Sequence, residues 1–221
     1  MQTQTKFWSR LGMLGGVYAV LFVVANVLIG NEPGAGAAPA TVVKYFNAHR
    51  AAETAGVFVV AFAVVALTFF LASLRHTLSR TDEGGYLANV VTAGGAVYAV
   101  GLLMMATFML ASVDAAHYHL AGTAQTLNLL SNDTWVPVVV GLSLLGLGTG
   151  VSALRSATLP KWLGWVSVVF GVLALAGPAG AIAFLIAPVW ALVTGIVILR
   201  SSRTTSALVD PGLGGLTSVH A

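Results

Sequence analysis

Apolar residues run along this chain in long blocks, and charged residues stand only at the ends of the blocks. From Thr54 to Leu74 no charged side chain appears, while His49, Arg50 and Glu53 stand before the block and Arg75 and His76 close it. A bilayer's hydrocarbon core takes about 20 apolar residues in helical form, and inside it each backbone N–H and C=O must be satisfied within the segment. The block therefore predicts a transmembrane helix over about 55–74. The same reasoning predicts spans at about 11–30, 87–112 and 134–154. Between Lys161 and Arg200 lie 38 uncharged residues, about 57 Å of helix and nearly twice the hydrocarbon thickness. Two spans, about 161–177 and 181–199, must share them, with the break at Gly177-Pro178-Ala179-Gly180, a run that stops one helix and starts another. The fold class expected is all-α: a polytopic transmembrane helix bundle of six spans in one domain, 1–200, with two outer loops that carry short interfacial helices.

The connections carry their own patterns. Asn31 to Pro39 is a Gly/Ala/Pro linker, and Pro39 then opens a helix in its first turn, with Val42, Phe46 and His49 on one face. That spacing predicts a short helix lying at the membrane surface before span two turns inward. Between Asp114 and Asp133, Leu120, Ala124, Leu127 and Leu130 recur at helical spacing and predict a second surface helix. Asp133 is placed to cap span four, Pro137 falls in that span's first turn, and Trp135, like Trp162 and Trp165 at span five, suits headgroup depth. Pro188 predicts a kink in span six. The tail 201–221, rich in Ser, Thr and Gly, reads as disordered and cytoplasmic. Lys6 and Arg10 ahead of Leu11–Asn31, with the small residues Ala35-Gly36-Ala37-Ala38 beyond, imitate a signal peptide. The apolar core exceeds the roughly 7–15 residues of a signal sequence, so retention as the first span is expected.

Composition narrows the function. The chain is 57% hydrophobic and 8% charged, against roughly 25% charged in soluble domains, which assigns it to lipid. The net charge of +3 is small and the basic residues sit at segment ends, leaving no basic face to follow a phosphate backbone, so nucleic acid is not an expected partner. Absence of cysteine excludes thiol catalysis and disulfides. With six spans, Lys6, Arg10, Arg75, Arg80, Arg155, Lys161, Arg200 and Arg203 lie on one side against Lys44 and Arg50 on the other. This asymmetry places both termini in the cytoplasm and the two longer loops outside the cell membrane. No ionisable residue lies near mid-span, which argues against ion-coupled transport. Passage of a neutral solute needs none.

Two glycine patterns recur. Gly15-Gly16-Val17-Tyr18-Ala19-Val20 in span one is echoed by Gly94-Gly95-Ala96-Val97-Tyr98-Ala99-Val100 in span three, as duplication of a helical hairpin or recurrent small residues would give. Gly146-Leu147-Gly148-Thr149-Gly150 has a phosphate-loop look but lies inside span four with no strand before it and no Lys after it. Close helix packing is the expected use of Gly146 and Gly150.

The run Tyr45-x3-His49-Arg50, the Leu74-Arg75 exit, Leu159-Pro160-Lys161-Trp162-Leu163-Gly164-Trp165 and the closing Gly-Pro turn resemble an uncharacterised group of six-helix actinobacterial integral membrane proteins, a domain of unknown function. The resemblance covers roughly Leu11 to Arg200. It implies fold and membrane localisation, and it carries no activity and no catalytic residue.

Candidate chemistry collects on the outer side: His49, Arg50, Glu53, Asp114, His117, His119 and Asp133. His49 and Glu53 stand four apart on one helical face and Asp114 and His117 three apart, as metal ligands on helices do. The set His49, Glu53, Asp114 and His117 would hold a divalent metal only if two separate elements brought it together. The plainer use of these residues is interfacial or capping, with Arg50 paired to Glu53. No cofactor is expected. The reading preferred is a non-enzymatic integral membrane protein that acts as an accessory to a membrane-protein partner or a second copy, with the lipid bilayer as its medium. The alternatives are an outer-face enzyme using a metal or acid/base pair and an uncoupled small-solute transporter.

Single cysteines at Ala37, Thr123 and Ser206 in this cysteine-free chain should react with an impermeant thiol reagent from outside, outside and inside the cell. Labelling of the Ser206 position from outside reverses the topology.

Overall fold

The computed structural model describes residues 11–79, 85–156 and 159–208, with side chains described through Ser201. The chain is all-helical there: α1 Leu14–Ile29, α2 Pro39–Leu78, α3 Tyr86–His117, α4 Ala121–Asp133, α5 Trp135–Arg155, α6 Lys161–Leu175 and α7 Gly180–Leu208. Four stretches are long and apolar enough to cross a membrane: α2, α3, α4 with α5 taken together, and α7 up to Ser201. The apolar helices α1 and α6 are shorter, 16 and 15 residues, or about 24 and 22 Å against a hydrocarbon core of about 30 Å. Lys6, Arg10, Arg80, the Arg203 side chain and the tail beyond Leu208 lie outside the described residues.

The helical arrangement departs from the expected one in several places. No surface helix turns into span two, because α2 runs unbroken for 40 residues. The stretch Ala48-His49-Arg50-Ala51-Ala52-Glu53 consists of residues compatible with a helix and contains no Gly or Pro, so nothing stops propagation into the apolar block. Asp133 does not cap α5. It is exposed, and the chain passes from α4 to α5 through Thr134, whose hydroxyl donates back to the Leu130 carbonyl at 2.6 Å. α7 continues to Leu208, eight residues into the tail. The break before it falls where the Gly-Pro run predicts. Gly177 has φ +59, a left-handed conformation that glycine adopts without a Cβ penalty, and a 3-10 turn over Gly177–Ala179 follows.

Outward faces are apolar. Phe58, Phe62, Val65 and Phe69 form an exposed stripe on α2, and Val17, Val20, Val24 and Val27 do the same on α1. Contiguous apolar surface of this kind suits contact with lipid. The inward faces are small. α5 packs most extensively against α3 and α6. A Cβ at Gly141 would strike the Tyr98 backbone, one at Gly146 would lie 2.8 Å from the Gly171 N and Cα, and one at Gly150 would lie 2.8 Å from the Gly164 carbonyl oxygen. The α6–α7 contact adds an indole: Trp190 Nε1 donates to Ser167 Oγ at 2.9 Å and its ring stacks on Phe170. At the centre, the tyrosines of the two echoed motifs meet. Tyr18 and Tyr98 share a buried hydroxyl–hydroxyl bond of 2.6 Å, tying α1 to α3.

Leucine at Gly146 or Gly150 would have to displace α6 backbone rather than a flexible side chain. The cost should reach or exceed the upper end of the about 1–3 kcal/mol typical of overpacking. Leucine at Val172, 57% exposed on α6, should change little. Thermal melts in detergent compare the three, and equal tolerance would remove the packing role of the glycines.

Candidate functional site

The linker between α1 and α2 is gripped at one end of the bundle, called here the capped end. α1 stops at Gly30, whose φ of +67 turns the chain, and the Tyr45 hydroxyl donates to the Ile29 carbonyl at 2.8 Å, satisfying one of the carbonyls a helix end leaves open. From α4, Gln125 Nε2 donates to the Ala37 carbonyl at 3.0 Å and Asn128 Nδ2 to the Pro33 carbonyl at 3.1 Å. Asn47 Nδ2 on α2 donates to the Ala116 carbonyl at the end of α3, and Ser131 Oγ to Met105. The buried face of α4 is thus Ala124, Asn128 and Ser131, while Leu120 and Leu130 are exposed. The helix lies where leucine spacing predicts it, but turned. It rests on linker and α3 backbone, and backbone carbonyls are met by amide and hydroxyl donors, not by leucine.

Beneath this cap lies a group of acids. Tyr45, His49 and Glu53 follow one another at four-residue spacing on α2, with the Tyr45 and His49 rings stacked at 4.4 Å and His49 Nδ1 2.9 Å from the Tyr45 carbonyl oxygen. Glu53, just before the apolar block of α2, is 0% exposed, and neither carboxylate oxygen has a hydrogen-bond partner. The Tyr45 hydroxyl lies near enough to steady the Glu53 anion, but its proton is committed to Ile29. Glu32, from the linker, is the second acid. It is half-buried beside Glu53 and lines a cavity of about 110 Å³ with Phe22, Asn26, Met105, Met109 and Phe184.

Burial first, then the charge of Glu53, pushes the Glu32 carboxyl up to about 7. Burial also raises Glu53, opposed by Tyr45 and by His49. Because those two neighbours favour its anion, Glu53 ionises first, and its charge then helps to keep the proton on Glu32. Burial and the two carboxylates hold the Tyr45 hydroxyl well above its ordinary range. The arrangement can hold and release a proton near neutrality.

Apart from His49, the other residues singled out by spacing do not join this group. His49, Arg50, Asp114, His117, His119 and Asp133 are all exposed. Arg50 is not paired with Glu53, since the Glu53 oxygens have no partner. Among the described residues no three His, Asp or Glu side chains gather closely enough to hold a metal ion, so His49, Glu53, Asp114 and His117 are not assembled as ligands. His119 has a backbone task. Its φ is +59, its N–H bonds the Ala116 carbonyl and the Leu120 N–H the Ala115 carbonyl, the Schellman pattern that ends α3. Glu32 went unnoticed because no periodicity places a residue in a linker. Its signal was charge spacing, since no Lys or Arg lies between Arg10 and Lys44 to pair with it.

His119→Gly should leave stability unchanged or raise it by up to about 1 kcal/mol, since glycine adopts φ > 0 without the Cβ penalty. A loss of more than that in thermal denaturation would assign the imidazole a contact of its own.

Comparison of the chain with protein-family models, with curated proteins and with solved structures finds no match in any of the three.

Proposed function

We propose that this is a non-enzymatic integral membrane protein of six spans, with both termini cytoplasmic and the capped end outward. It works by contact with a membrane partner or a second copy there, and its Glu32–Glu53 pair makes the cap respond to protonation. The observation that carries the reading is Glu53, buried with neither oxygen paired, beside a second carboxylate held in the linker. An ionised, unpaired carboxylate is costly to bury, and two together repel. The cap is therefore tightest with a proton on the pair and loosens when both acids are charged. Among the described residues, neither Lys nor Arg is paired with the Glu53 oxygens. His49 and Tyr45 are the titratable α2 neighbours, Lys44 and Arg50 point to the surface, and Asp114, His117, His119 and Asp133 of α3 and α4 are exposed. A small-solute passage has one observation on its side, the cavity under Glu32, whose wall is mainly apolar. The helices α1 and α6, short for spans, fit this topology where the bilayer thins around them or flanking residues snorkel.

The sign of the pH dependence follows from the raised Glu32 carboxyl. The folded chain binds more protons than the unfolded chain between about pH 4.5, the ordinary carboxyl value, and about pH 7. Stability should fall as pH rises through that window and be lowest above it, by on the order of 2 kcal/mol after allowance for partial exposure. Glu53→Gln and Glu32→Gln should flatten the dependence and raise the melting temperature at pH 8. Relative to a cysteine at the exposed Thr123 position, which corrects for the pH dependence of the thiolate, a cysteine at Ala37 should label faster at pH 8 than at pH 5 in the otherwise native chain, and that ratio should not change with pH in Glu53→Gln. An unchanged pH profile in both variants would sink the switch. Near-stoichiometric zinc in purified protein, lost in His49→Ala or His117→Ala, would favour the metal enzyme instead.

A further inference from the structure

A second concavity lies at the opposite end, between α2 and α3, with a volume of about 750 Å³, within the roughly 300–1,000 Å³ of ordinary ligand sites. Its wall is made of small and apolar side chains, among them Ala72 on α2 and Gly95, Ala96 and Ala99 on α3. Its end is polar: Arg75, exposed and within 3.4 Å of the Asn89 side-chain oxygen, with His76 and Ser79. On α2 the lining runs from Val64 through Ala72 to Arg75, where the polar end begins, and on α3 from Thr92 to Leu103. Each stretch spans eleven helical steps, about 16 Å, which matches the hydrocarbon depth of one leaflet, about 15 Å. Apolar for the length of one acyl chain and cationic at headgroup depth, the groove has the profile of a lipid standing in its own leaflet.

We propose that this groove binds one anionic phospholipid, its acyl chain along Thr68, Ala72, Ala96 and Val100 and its phosphate on the Arg75 guanidinium. A guanidinium offers paired N–H donors that match phosphate oxygens, and basic sites between transmembrane helices select anionic headgroups on the cytoplasmic side, where the proposed topology puts Arg75. The inference rests on the membrane reading and is independent of the acid pair at the capped end.

The test is lipid retention by the purified full chain in neutral detergent, by native mass spectrometry and thermal shift, with phosphatidylglycerol, phosphatidylcholine or sodium phosphate alone. Phosphatidylglycerol should bind with one-to-one stoichiometry and raise the melting temperature, while phosphatidylcholine binds at least about tenfold more weakly and inorganic phosphate does neither. Arg75→Gln should erase the preference between the two lipids, and Ala96→Phe, at an exposed groove position, should lower retention of both. Equal binding of the two lipids by the native chain, or unaltered preference in Arg75→Gln, would overturn the site. Unaltered retention in Ala96→Phe would overturn the groove as the acyl position. Failure of the native chain to enter vesicles of either lipid would overturn the membrane reading itself, a result separable from loss of lipid preference.

Discussion

Backbone proximity is the constraint on which the bundle depends. Lipid tails are as apolar as leucine, so helices in a bilayer gain little by hiding leucine from their surroundings and must associate through close packing and hydrogen bonds. α5 shows how this is met. Gly141 admits the Tyr98 backbone of α3, and Gly146 and Gly150 admit the glycines of α6. The outward faces are then free to keep Phe58, Phe62 and their valine counterparts against lipid. Among the buried polar ties, Tyr18 with Tyr98 joins α1 to α3, and Trp190 with Ser167 joins the consecutive helices α6 and α7.

The two ends of the bundle solve different problems. At the capped end, a linker without secondary structure has to be held, and it is held by amide side chains from α4 that reach its carbonyls at Pro33 and Ala37. Closing that cap takes Glu53 out of water and leaves Glu32 partly so, which is the source of their unusual proton affinity. At the other end, helices α2 and α3 part around small side chains and leave a groove rather than a lid.

Much of the helical layout was legible because uncharged block length is a direct readout of bilayer thickness. The expected starts of spans four and five at 134 and 161 lie within one residue of Trp135 and Lys161, and the Gly-Pro break is where the pattern puts it. What charge patterning could not show was whether a polar run interrupts a helix. Arg50 and Glu53 looked like a membrane boundary and a bend, yet a helix bends at breakers, and Ala-rich polar sequence contains none. Side-chain direction was harder still. Of the four residues whose spacing predicted α4, Ala124 and Leu127 pack inward while Leu120 and Leu130 are exposed, and Asn128 is buried because it reaches linker backbone. Glu53 was singled out for its spacing from His49, and that pairing on one face of α2 holds. Its deeper partner, Glu32, comes from across the linker, and a contact of that kind leaves no periodic trace.

The unbroken course of α2 makes it a gauge of membrane thickness. Glu53 and Arg75 lie 22 residues apart on one continuous helix, about 33 Å along its axis and close to one hydrocarbon thickness. In a bilayer the exposed Arg75 would resist being drawn toward the apolar layer, while Glu53 is enclosed by protein. The neighbouring α1, as described from Leu14 to Ile29, is about 9 Å shorter than that interval. A bilayer around the bundle would take its depth from α2 rather than from a shorter neighbour.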